Sequence, residues 1–73
     1  MKLIIALKIA NDCALTDVGE AIYNIRIHAG NLFTYGEEQN EFDELMHEFK
    51  VAGVTHGVSF NTSIKDALEK LEV

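Results

Sequence analysis

A single cysteine, Cys13, excludes any disulfide within this chain of 73 residues, and that narrows how the fold can be held together. A domain this short buries only about 60% of the surface its unfolded form exposes, so folds of this size commonly lean on disulfides, a structural metal or a partner subunit. The three histidines, His28, His47 and His56, lie far apart without cysteine companions, so no structural zinc pattern is present. No metal or other cofactor is expected. What remains is an apolar core helped by association, either with a second copy or with another protein. There is room for one small domain, spanning 1–73. An unpaired thiol suits the reducing cytosol, which makes a cytoplasmic location the expectation.

Charge narrows the partners. Apolar residues at 48% and charged residues at 25% are ordinary for a folded domain, but twelve carboxylates face only six Lys and Arg, giving a net charge of −6. A phosphate-binding surface needs clustered basic residues, and this chain offers Arg26 and scattered lysines. Direct nucleic-acid binding is therefore not expected. The run from Met1 to Ala10 has the look of a secretion signal, but Lys8 interrupts its apolar stretch and Asp12 spoils the cleavage pattern. No stretch approaches the ~20 apolar residues of a membrane span.

Periodicity gives the element order. Leu3, Ile5, Leu7 and Ile9 alternate with other residues, which predicts a strand ending in a turn at Asn11-Asp12. From Leu15 to Tyr35 two patterns compete. Leu15, Val18, Ile22, Ile25, Ala29 and Leu32 form a helical stripe, with Thr16 or Asp17 to cap its start, Glu20 to complete a box from Asp17, and Gly30 at its end. Tyr23, Ile25 and Ile27 alternate as in a hairpin, and Gly19 weakens the helix. Phe42, Leu45, Met46 and Phe49 predict a helix over 37–52 with Gly53 as its stop. Val54, His56, Val58 and Phe60 alternate as a second strand. A final helix follows, started by Asn61, Thr62 or Ser63, with Asp66 in its first turn and Ile64, Ala67, Leu68 and Leu71 on its buried face. The expected fold class is α+β: a small two- to four-stranded sheet covered on one face by two or three helices. A sheet that small would gain from pairing its edges between copies, so a homo-oligomer is expected.

Motifs for catalysis are missing. The glycines are too dispersed for a phosphate loop, and Cys13 with a distant histidine reads as a thiol after the first strand rather than a nucleophile. Glu44 and His47 have the Glu-x-x-His spacing of di-iron bundles, but the motif occurs once and points away from the apolar stripe of its helix. His56 reads as a residue at the edge of the core. The unusual feature is acidic: residues 37–48 carry six carboxylates and no basic residue. Glu37, Glu41, Glu44 and Glu48 share one helix flank. All six together place about one charge per 3 Å, near the ~3.4 Å of phosphates along one DNA strand. If 16–35 is helical, Tyr23 and Ile27 project away from the buried stripe and mark a second candidate interface. The expected function is a small, non-enzymatic, acidic protein-binding protein that docks on a basic surface of a larger, nucleic-acid-handling protein. It would act as an inhibitor and partial nucleic-acid mimic of the kind phages and mobile elements encode. The alternative is a homodimeric regulatory or scaffold module.

Overall fold

The alternation at the amino terminus and the helical spacing of the same residues cannot both be satisfied, and the helix wins. In a computed structural model describing residues 1–72 there are five helices and, among the described residues, no strand. The α+β expectation is thereby corrected to a small all-helical fold. Helix α1 spans Leu3–Asp12 and buries Leu3, Ala6, Leu7 and Ala10, the i, i+3, i+4, i+7 set, while Ile5 stays 49% exposed. Both patterns include Leu3 and Leu7, so the alanines decide. They let α1 pack closely against α2, α4 and α5, a central position that larger side chains at 6 and 10 would not allow. Past Asp12 the chain reverses through Ala14, held at φ 61°. The Leu15 N–H donates to the Ala10 carbonyl (3.0 Å) and the Ala14 N–H to that of Asn11 (3.1 Å), which closes the helix end.

Between the two readings of 16–35, the helical one is correct. Helix α2 covers Val18–Ile27 and buries Val18, Ala21, Ile22 and Ile25. Asp17 accepts the Glu20 N–H (2.8 Å), so the cap forms, but the Glu20 carboxylate accepts the N–H of Thr16 (3.1 Å), one residue before the cap, rather than completing the box on Asp17 itself. The helix stops before Gly30, which lies inside a short α3, Ala29–Leu32.

Helix α4, Glu38–Thr55, runs three residues beyond the expected end at Ala52 and straight through Gly53. A Cβ on Gly53 would sit 3.3 Å from the Val58 carbonyl oxygen, so this glycine makes room for the returning chain rather than stopping the helix. The stop comes at Gly57, φ 66°, and the Val58 N–H turns back to the Ala52 carbonyl (3.3 Å). The strand expected at 54–60 is therefore the last turn of α4 and a loop. His56 caps the helix in solvent instead of lining the core. Helix α5, Ile64–Glu72, follows the sequence reading: Ser63 Oγ accepts the Asp66 N–H (3.1 Å), and Ile64 and Ala67 are buried.

The segments before α2 and α5 are paired. Val18 donates to the Thr62 carbonyl (2.9 Å), Gly19 to that of Phe60 (2.9 Å), and Ile64 to that of Thr16 (3.0 Å), which makes an antiparallel bridge between Asp17 and Ser63. Each helix thus has first-turn N–H groups satisfied by the loop that starts the other. A Cβ at Gly19 would stand 3.2 Å from the Phe60 oxygen, so any larger residue there would have to push that backbone back by a few tenths of an ångström. Leu7, Val18, Leu45 and Ile64 are the largest fully buried side chains, and no described polar or charged side chain is buried with them.

Candidate functional site

The acidic flank of α4 faces the start of α1. The apolar stripe turns α4 so that Leu45 is buried and Phe42, Met46 and Phe49 rest half-buried against the core, which leaves the glutamates beside residues 1–3. The Met1 ammonium lies 2.7 Å from Glu41 Oε2 and 3.2 Å from Glu44 Oε2, and donates to the Glu41 carbonyl (2.9 Å). Burial pulls the pKa of this amine down, but hydrogen bonds to Glu41 and Glu44 and their charges outweigh it and hold the pKa above its ordinary value. Glu48 Oε1 accepts the Leu3 N–H (2.8 Å) and Oε2 sits 3.4 Å from Lys2 Nζ. Lys2 provides α1 with no side-chain cap, so Glu48 caps it from across the interface. Of the four residues singled out in the sequence, Glu41, Glu44 and Glu48 are brought together on the molecule's own amino-terminal segment. Glu37, at the N-cap position of α4, stays apart in solvent.

Tyr23 and Ile27 are where the helical reading of α2 puts them. They are 66% and 53% exposed, one turn apart. A third residue joins them that the sequence reading assigned to a buried strand face. Phe60 is 50% exposed, with its carbonyl against Gly19 one turn before Tyr23 and its ring stacked on Phe49 at 4.6 Å. On the α4 side of this face the Arg26 guanidinium lies 4.8 Å over the Phe42 ring and donates to Gln39 Oε1 (3.4 Å), and Gln39 donates to Asp43 (2.8 Å).

Hollows also lie elsewhere on the surface. An open cleft of about 460 Å³ separates the start of α1 from the second half of α4, lined among others by Leu3, Ile4, His47, Val51 and His56. Thr55 Oγ1 donates to the Val51 carbonyl (2.9 Å) and lies 2.7 Å from His56 Nδ1. A smaller apolar hollow of about 210 Å³ between α1 and α2 has Cys13 and His28 at its margin. No hydrogen bond joins the two, and Cys13 is an exposed helix cap rather than a thiol behind a strand. Glu44 and His47 stay in solvent on α4, and Glu44 is engaged by Met1. Among the described residues no cluster of three or more His, Cys, Asp or Glu is placed to hold a metal ion, and no helix is long and apolar enough to cross a membrane.

Comparison with known families, with characterised proteins and with solved structures returns no match. Function has to be read from the chemistry of this surface alone.

Proposed function

We propose that the protein is a small acidic binding protein that docks on a larger protein through the exposed side of α2. The observation that carries this reading is the placement of Tyr23 and Ile27 one turn apart in solvent, with Phe60 beside the same helix face. Two aromatic residues and an isoleucine, next to an arginine already oriented over Phe42, have the composition of an interface hot spot. Helix α2 is fixed at its start by the Asp17 cap and by the pairing with the loop before α5, so the face is presented rigidly. Docking of this kind over a working surface of the partner makes an inhibitor.

The acidic flank of α4, the first candidate from the sequence, supports the reading less directly. Three of its carboxylates already bind residues 1–3, which breaks the free row of charge a nucleic-acid mimic would present. The test is a quantitative pull-down from host lysate with three baits: wild type, the pair Tyr23→Ala and Ile27→Ala, and Glu37→Gln. A protein retained by wild type and by Glu37→Gln but lost with the α2 pair supports docking through α2. A protein held equally by the α2 pair moves the site elsewhere.

A further inference from the structure

We draw no further inference here: the strongest candidate, the apolar patch of Tyr23, Ile27 and Phe60 on the exposed side of α2, belongs to the docking site already described, and nothing in the structure shows what covers it.

Discussion

Ala14 holds a left-handed backbone, φ 61°, at the one point where α1 must reverse into α2. Glycine is the usual residue there because a Cβ crowds the following carbonyl. Ala14→Gly is therefore expected to raise stability by about 0.5–1 kcal/mol, read as a higher urea midpoint with an unchanged slope. Glu48 carries the opposite expectation. Removing its carboxylate leaves the first turn of α1 without a cap and Lys2 without its partner, so Glu48→Ala should cost about 1 kcal/mol, whereas Glu37→Ala should be close to neutral. Equal melting curves for the two variants would show that the cap across the α1–α4 interface contributes nothing. The sequence could not announce this role. In a helix wheel Glu48 belongs to a uniform acidic flank, and only the position of α1 separates it from Glu37.

At the level of elements, the attachment of α1 to α4 depends on a titrating group. The Met1 amine has its pKa raised in the folded state by Glu41 and Glu44. A raised pKa means that its contribution is complete below the ordinary amine range near 8 and is lost as pH climbs through the higher folded value. In the 73-residue chain the melting temperature should therefore decline above about pH 8, and Glu41→Gln should flatten that decline. A wild-type melting curve unchanged from about pH 7 to about pH 10 would remove the ammonium contact from the account.

Element types were legible where one period dominates, as in α4 and α5, and in the Asp17 and Ser63 caps. They were misread at α1, where isoleucines at 5 and 9 add an alternating signal to a helix whose buried side is half alanine. The end of α4 was misread because Gly53 serves a close approach of the returning chain, a tertiary reason that no local pattern encodes. Gly53→Val should displace that chain segment from Val58 onward and cost about 2 kcal/mol or more through crowding and lower helix propensity. Of the candidate site, Tyr23 and Ile27 were readable once 16–35 was taken as helical. Phe60 was not, because its neighbour across the surface is set by the pairing of two distant loops.

For the whole molecule, the pairing of residues 16–19 with residues 60–64 sets the order of assembly. The two segments stand roughly 45 residues apart, so bringing them together costs more chain entropy than any turn within a helix pair, and the cost must be met before the bonds form. Local helices such as α4 can appear early, while the joint between the starts of α2 and α5 belongs to the late, committed state. The amides of Val18, Gly19 and Ile64 should then exchange with solvent deuterium only through the same global opening, with matching protection and a common dependence on denaturant, although Gly19 lies near the surface and all three sit at helix starts, where fraying normally exposes amides first. Val18 exchanging far faster than Ile64 would show two independently fraying ends. Matching rates would mean that the chain behaves as a closed ring fastened at this joint, with the face around Tyr23 mounted on the part that opens last.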